Sequence, residues 1–354
     1  MATSNHRVIG LMSGTSLDGL DIAYCHFSFD NKQWNFNIER TKTVIYPKTL
    51  SEKIEKVATM KAKDFLLLHN ELGYFFGKKV NEFINQNKLV VDFISSHGHT
   101  VFHQPDKHFN FQIGNPSIIR QVTQLPVIAD FRTKNILAGG QGAPLVPIGD
   151  KLLFHQYNYC INLGGFSNIS YDNENNQRIA FDICPVNIVL NLLANKTGKD
   201  FDKDGEIGKQ GKIAHELLIA LNAISYYKQP LPKSLGTEWL TKYFLPVLEK
   251  YDLPIADKTR TVYEHIVQQF QNILNRLPNG KILLSGGGTH NKFLLHLLKE
   301  NIKQEIIIPD KKIVDFKEAL IFAFLGVLKK ENKPNCLSSY TGAPEDMVCG
   351  EWFY

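Results

Sequence analysis

The sequence predicts an α/β protein of two lobes with a ligand cleft between them, and three observations carry that expectation. Short apolar runs that read as strands give way to amphipathic helical stretches, and this happens twice along the chain. Glycine-rich turns sit at the ends of some of these runs, one early, one central and one late. The 354 residues are enough for two cores with a crevice between them.

Taken in order, β-rich runs at residues 7–12 and 21–29 are joined by the turn-forming residues 13–19, which reads as a hairpin. Helices follow at 50–60 and 64–85. In the second, Phe65, Leu68, Leu72, Phe75, Phe76, Val80 and Phe83 keep one helical face apolar. A short buried strand at 91–95 leads to His97-Gly98-His99, and another covers 126–130. After the glycine-rich stretch 138–142, strands at 159–163, 168–171 and 178–181 open a second series. A helix then starts near Pro185, because proline suits the first helical turn. Helical patterns cover 210–225, 237–250 and 258–276, and a strand at 281–285 runs into a helix from about Asn291. A strand at 305–309 and a helix at 316–330 complete the series. The lobes are expected at 1–133, completed by 336–354, and at 134–335.

Composition narrows the function. A formal charge of +5 is small for this length, and no block of five or more like charges occurs, so neither nucleic acid nor a membrane surface is an expected partner. No apolar stretch approaches the roughly 18–20 residues that span a bilayer. The start lacks the apolar core of a signal peptide. Cys25, Cys160, Cys184, Cys336 and Cys349 are scattered, odd in number and without a CxxC pair, which fits a reducing cytoplasm better than a disulfide framework or a zinc site.

Three segments carry chemistry. In the first, Ser13-Gly14-Thr15-Ser16-Leu17-Asp18-Gly19, small residues at a hairpin tip let backbone N–H groups close on phosphate oxygens. Ser13, Thr15 and Ser16 add hydroxyl donors, and Asp18 is a candidate Mg²⁺ ligand, direct or through water. The second is Asn162-Leu163-Gly164-Gly165-Phe166-Ser167-Asn168, a glycine pair between two strands; the third is Leu284-Ser285-Gly286-Gly287-Gly288-Thr289, between a strand and a helix. Each alone is an ordinary turn. Together they point to a nucleotide, whose polyphosphate needs close backbone approach from several places. No Walker loop is present.

These segments resemble the blocks of the anhydro-N-acetylmuramic acid kinase family. GLMSGTSLDGLD is similar to that family's opening phosphate hairpin, NLGGFSN to its second phosphate loop and LSGGGTHN to its adenosine loop. SSHGHTVFHQP, FQIGN, ADFR, AGGQGAPLVP, KDFDKDGEIGKQGK, PLPKSLG, FKEALIFAFLG and SSYTGAP continue the match in order to the C-terminus. The resemblance implies the two-lobed fold of actin and the sugar kinases, ATP with Mg²⁺, and a homodimer. It also implies the small sugar 1,6-anhydro-N-acetylmuramic acid as substrate. The family opens the anhydro bridge with water while phosphorylating O6, in bacterial cell-wall recycling. Gly14, Thr15, Ser16, Leu17, Asp18, Gly19, Leu20 and Asp21, with Gly164, Gly165, Gly286, Gly287 and Gly288, become the expected ATP-binding residues.

By the same resemblance Asp182 stands at the catalytic aspartate, where it would deprotonate water. Read without the family and the phosphate loops, it is first a cap for the helix near Pro185. His97, Arg132, Asn187 and Glu318 match positions near the sugar. A guanidinium forks well onto a carboxylate, so Arg132 suits the lactyl group, a surface salt bridge being its other role. Glu318 either accepts from a sugar hydroxyl or simply begins its helix. His97, His99 and His103 have no acidic or cysteine partner at ligand spacing, so structural histidines are expected rather than a metal site.

Departures cluster around Asp182: Ile183, Cys184 and Val186 replace the usual Thr, Gly and Gly. Asn191, His99, Asn115, Leu235 and Thr237 also differ, which suggests a repacked sugar pocket. An ordinary sugar or amino-sugar kinase, and an inactive nucleotide-binding relative, are the alternatives.

Overall fold

The computed structural model describes all residues except 1–3, 15, 16 and 18. The chain forms two compact units, Met1–Leu153 with Phe316–Tyr354, and Phe154–Asp315.

The first unit is built on a seven-stranded sheet. β1 (Ser4–Ser13), β2 (Leu20–Asp30) and β3 (Gln33–Val44) form an antiparallel meander, so the expected hairpin is present and a third strand extends it. β4 (Phe93–Gln104) runs parallel to β1, and β5 (Phe109–Ile113) folds back on it. β6 (Val127–Ala129) lies parallel to β4, and the last strand of the chain, β12 (Glu351–Phe353), closes that edge.

Alternation along β1 assigns its two faces. Ile9 and Leu11 join the core made with helix Ala62–Asn87, whose Leu68, Leu72, Phe76, Val80 and Phe83 are buried as the periodicity required. Gly10 faces the other way, toward helix Lys311–Lys330. On that side Ser95 Oγ donates to the Phe322 carbonyl at 2.5 Å. Phe324 packs on Phe27 and Trp34 with ring separations of 5.4 and 5.2 Å.

The helix Lys311–Lys330 kinks at Phe316, where the chain passes into the first unit. The units therefore divide at 153 and 315, not at the 133 and 335 suggested by the sequence. Helix Pro147–Leu153 belongs with the first unit because Gly149 packs on Ile321 and Asp150 pairs with buried Lys317 at 2.7 Å.

The second unit has a five-stranded sheet in the order β11-β10-β7-β8-β9. β7 (Tyr159–Leu163), β8 (Phe166–Asp172) and β9 (Arg178–Pro185) form an antiparallel meander, and β10 (Lys281–Ser285) and β11 (Glu305–Ile307) add in parallel. Helix Ile255–Leu274 contributes Val262, Tyr263, Ile266, Val267 and Phe270 to the core beneath them. Two expectations are corrected. Pro185 ends β9, and the helix begins two residues later as Asn187–Asn195. The single helix expected over 210–225 is two pieces, Glu206–Gln210 and His215–Asn222, because Gly211 turns extended at φ −87°, ψ 164°. Among the described residues no helix is long and apolar enough to cross a membrane.

Gly10 lets helix Lys311–Lys330 approach the sheet: a Cβ there would fall on the Ala319 carbonyl oxygen and 2.9 Å from the Ala323 methyl. Gly10→Val is therefore expected to destabilise the protein by about 1–3 kcal/mol, the usual cost of overpacking a core. Urea denaturation measures it, and an unchanged midpoint would contradict this packing.

Candidate active site

Two of the three glycine loops meet in the second unit. β7 and β10 are parallel neighbours with Ser285 beside Asn162, so Gly164-Gly165 and Gly286-Gly287-Gly288 both follow the carboxyl ends of adjacent strands. Open α/β sheets bind ligands at those ends. Gly286 has φ +88°, and at Gly288 a Cβ would come within 2.7 Å of Leu163 Cβ, so the late loop lies directly against the central one.

Helix Asn187–Asn195 abuts the glycine pair. Val186 N–H and Ile188 N–H donate to the Gly165 carbonyl at 2.8 and 3.2 Å, and Asn187 N–H donates to that of Gly164 at 3.3 Å. The Asn187 side chain donates to the Leu163 carbonyl at 3.1 Å. The structure thus ties Asn187, a residue expected near the sugar, to the glycine loops. A buried chain that sequence reasoning missed braces the late loop. Asn291 Nδ2 donates to Tyr263 Oη at 2.6 Å, and Tyr263 donates to Asp202 Oδ2 at 3.0 Å. Asp202 in turn accepts from Ile207 N–H at 2.8 Å. Only Asn291, which caps the next helix, had a local signal.

Asp182 lies inside β9, ahead of the Val186 cap position, so it does not cap the helix. The β8–β9 ladder slips between Ser167 and Asn168, where Ser167 faces Cys184 and Asn168 faces Asp182. Ile183 is thus an extra residue, a bulge of the kind that re-aims a side chain. Leu235 N–H donates to Asp182 Oδ2 at 2.7 Å, Asp182 N–H donates to the Lys233 carbonyl at 3.2 Å, and Tyr226 Oη donates to the Asp182 carbonyl at 2.6 Å. Burial pushes the carboxyl up to about 6, with the Leu235 N–H pulling the other way. A carboxyl poised there suits proton transfer near neutral pH.

The departures next to it are packed into the interior. Ile183, Cys184 and Val186 belong to the second unit's hydrophobic core, and none has positive φ. Asn115 in place of the usual aspartate still caps helix Pro116–Thr123, accepting from Ser117 N–H at 3.0 Å.

In the first unit, Thr15, Ser16 and Asp18 of the expected phosphate hairpin lie outside the described residues. Leu17 N–H donates to the Gly14 carbonyl at 3.2 Å, and Leu17 has φ 59° and Gly19 φ 143°. Leu20 is fully buried in the core, so its side chain does not meet a ligand. Asp21 accepts from Thr43 Oγ1 at 2.5 Å. Ser13, expected as a phosphate donor, faces inward instead: its hydroxyl accepts from Tyr46 Oη at 2.6 Å and lies 2.9 Å from His99 Nδ1. Burial lowers His99 to about 4, so its ring is neutral and structural. The described residues hold no group of three or more potential metal ligands.

His97 and Arg132 form a unit. Arg132 donates from Nη2 to His97 Nε2 at 2.9 Å and from Nη1 to the Gly142 carbonyl at 2.6 Å. Burial and the neighbouring Arg132 hold His97 far below its ordinary value, so it stays neutral and accepts. Burial lowers Arg132 to about 10, leaving it charged. It makes no ion pair among the described residues, and its buried Nε has no acceptor, so the surface salt bridge is not its role. Glu318 follows the kink at Phe316 and keeps exposed surface. Crowding by protein raises its carboxyl, opposed by Lys317, helped by Asp21 and opposed by Arg132. That exposure softens the effect.

With this geometry in hand, the class is defined by glycine loops at parallel strand ends and a poised carboxylate in a two-unit α/β protein: a phosphate-handling enzyme. A family model described as anhydro-N-acetylmuramic acid kinase matches residues 6–354, and the chain belongs to that family. It is 33% identical over 371 residues to the anhydro-N-acetylmuramic acid kinase of Clostridioides difficile (strain 630), covering 97% of each chain. It is 31% identical over 373 residues to that of Bacillus thuringiensis subsp. konkukian (strain 97-27), covering 97% of this chain and 98% of the other. Among solved structures, component A of the (R)-2-hydroxyglutaryl-CoA dehydratase of Acidaminococcus fermentans aligns over 90% of this chain and 96% of its own. That likeness, with a TM-score of 0.42 and 14% identity, is too slight to bear on function.

The raised carboxyl has a stability signature. Asp182 titrates near its ordinary 3.8 when unfolded and at about 6 when folded, so the folded state binds the proton more tightly. Stability therefore falls as pH rises between those values and stays lowered above them. Two pKa units correspond to about 2–3 kcal/mol. Asp182→Asn is expected to be more stable than the parent by that order at pH 8, the gap closing below about pH 4. Chemical denaturation across pH measures this; a less stable D182N at pH 8 would contradict a desolvated carboxylate.

Proposed function

We propose that this protein uses ATP and water to convert 1,6-anhydro-N-acetylmuramic acid to N-acetylmuramic acid 6-phosphate, in peptidoglycan recycling. The observation that carries this reading is Asp182, desolvated, oriented by Leu235 N–H and set on a bulge a few residues along the ladder from the Gly164-Gly165 turn.

Asp182 takes a proton from water as the water oxygen bonds to the anomeric carbon. The bond from that carbon to O6 breaks, and its electron pair stays on O6. O6 accepts the γ-phosphoryl group of ATP in place of a proton, and ADP leaves. Ordinary glycoside hydrolysis needs a second carboxyl group as acid for the leaving oxygen. Here phosphoryl transfer does that work, so one carboxylate suffices.

The glycine loops supply backbone N–H groups and close approach for the nucleotide. Magnesium would need only one or two protein carboxylates beside ATP's phosphates, with Asp18 of the opening hairpin as the candidate, and would neutralise phosphate charge there. Arg132 pairs with the lactyl carboxylate, the anion its buried guanidinium lacks. His97 holds the guanidinium in place, and Glu318 accepts from a sugar hydroxyl. A cytoplasmic homodimer belongs to the same reading; light scattering at twice the chain mass tests the dimer.

Turnover in ¹⁸O-labelled water is expected to give a 6-phosphorylated sugar with label at the anomeric carbon, read by mass spectrometry. Phosphorylation without label would make this an ordinary sugar kinase. D182N is expected to lose turnover at least 100-fold while still binding ATP. Because the base must be ionised, kcat/KM should fall as pH drops through about 6. A flat profile from pH 5 to 8 would remove Asp182 from that role.

A further inference from the structure

The first unit contains a cavity of about 200 Å³ whose walls include His69, His97, Asn110, Gln112, Asp130 and Thr133. A water's share of liquid volume is about 30 Å³, so the space admits a whole substituent. Three of these walls carry buried polar atoms without a hydrogen-bond partner: His69 Nδ1, Asn110 Oδ1 and Gln112 Nε2. Asn110 is only 9% exposed, and its Nδ2 is already committed to Thr133 Oγ1 at 3.1 Å. Native proteins rarely leave such atoms orphaned, so their concentration in one cavity points to a ligand that completes them.

The chemistry of the walls selects that ligand. Asn110 Oδ1 offers an acceptor and Gln112 Nε2 a donor. They are alternate residues of β5, which puts them on one side of the strand, roughly 7 Å apart. No lysine or arginine lines the cavity, whereas the Asp130 carboxylate does, and burial keeps His69 neutral by lowering its pKa. A carboxylate or phosphate would be repelled. A neutral group that presents one donor and one acceptor in opposite directions fits, and a trans secondary amide is that group.

We infer that this cavity is the subsite for the acetamido group of the sugar, its N–H donating to Asn110 Oδ1 and its carbonyl accepting from Gln112 Nε2. The assignment rests on the amino-sugar kinase reading and extends it to specificity. Its place in the fold supports it. His97 both lines the cavity and holds Arg132 at 2.9 Å, so a neutral amide site and an anion site adjoin one histidine. On a muramyl sugar the acetamido and lactyl groups stand on adjacent ring carbons, which is the same pairing.

The test compares kcat/KM for 1,6-anhydro-N-acetylmuramic acid with that for the analogue bearing a hydroxyl in place of the acetamido group. The parent is expected to prefer the acetamido sugar by about 100-fold or more, because a site built for hydrogen bonds rejects the compound that leaves them unmade. Gln112→Met keeps length but removes the donor and should narrow that ratio about tenfold or more. Gln112→Glu, which puts an acceptor where a donor is needed, should do the same. An unchanged ratio in folded Q112M and Q112E overturns the subsite, and so does a parent without preference. If the parent turns over neither sugar, the kinase reading fails separately. Saturation-transfer NMR with N-acetylmuramic acid then decides: an acetyl-methyl signal in the parent that Q112M loses supports the subsite, and its absence from the parent, or its persistence in Q112M, overturns it.

Discussion

Charge partly withdrawn from water without a hydrogen-bonded ion pair is the constraint on which the functional parts of both units depend. Arg132 has only neutral partners, an imidazole nitrogen and a peptide carbonyl. The Asp182 carboxylate has only a backbone N–H. Each is an expense to folding, since a desolvated charge with no partner of opposite sign is destabilising. The two hydrophobic cores around the sheets offset it. In return neither charge is tied up in a hydrogen-bonded ion pair, which leaves each available to a ligand.

Backbone detail decides how those charges are aimed. A regular β9 would alternate its side chains without interruption from Arg178 to Pro185. The extra residue at Ile183 breaks that alternation and sends Ile183 and Cys184 both into the core, while Asp182 keeps its carboxyl free to meet the segment at Lys233–Leu235. At Cys184 and Val186, where the family resemblance leads one to expect glycine, the backbone stays at negative φ and the side chains fill the core. The changed residues thus alter what lies beneath the site more than what faces it.

The long periodic elements were legible in the sequence because their signal is local. Helix Ala62–Asn87 declared itself by its apolar face, and β7 and β10 by their bounded apolar runs. β3 was missed although Trp34, Phe36 and Ile38 alternate with Asn35 and Asn37, because polar strands at a sheet edge lack the continuous apolar run of a buried one. The unit boundaries were misplaced for a different reason. Whether the helix after Phe316 belongs with one sheet or the other depends on Gly10, Ser95 and Gly149 making room for or meeting it, contacts far apart in the chain. Of the site, residue types at loops were readable; Ser13 turning inward to Tyr46, and the N–H of Leu235 reaching Asp182, depend on tertiary placement that no spacing encodes.

The sugar's three polar features then sort by charge onto different parts of the protein. The anomeric carbon must meet water beside a carboxylate, the lactyl group must meet a cation, and the acetamido group must avoid both charges while satisfying a donor and an acceptor. In the proposed function Asp182, Arg132 and the Asn110–Gln112 pair are assigned these demands separately, and only the last is electrically neutral. A simple hexose would leave the Arg132 guanidinium and the amide pair unmatched, two buried penalties that its binding could not relieve. Selectivity of this kind does not require a tight steric fit. It follows from polar atoms that were desolvated at folding and that one class of ligand completes.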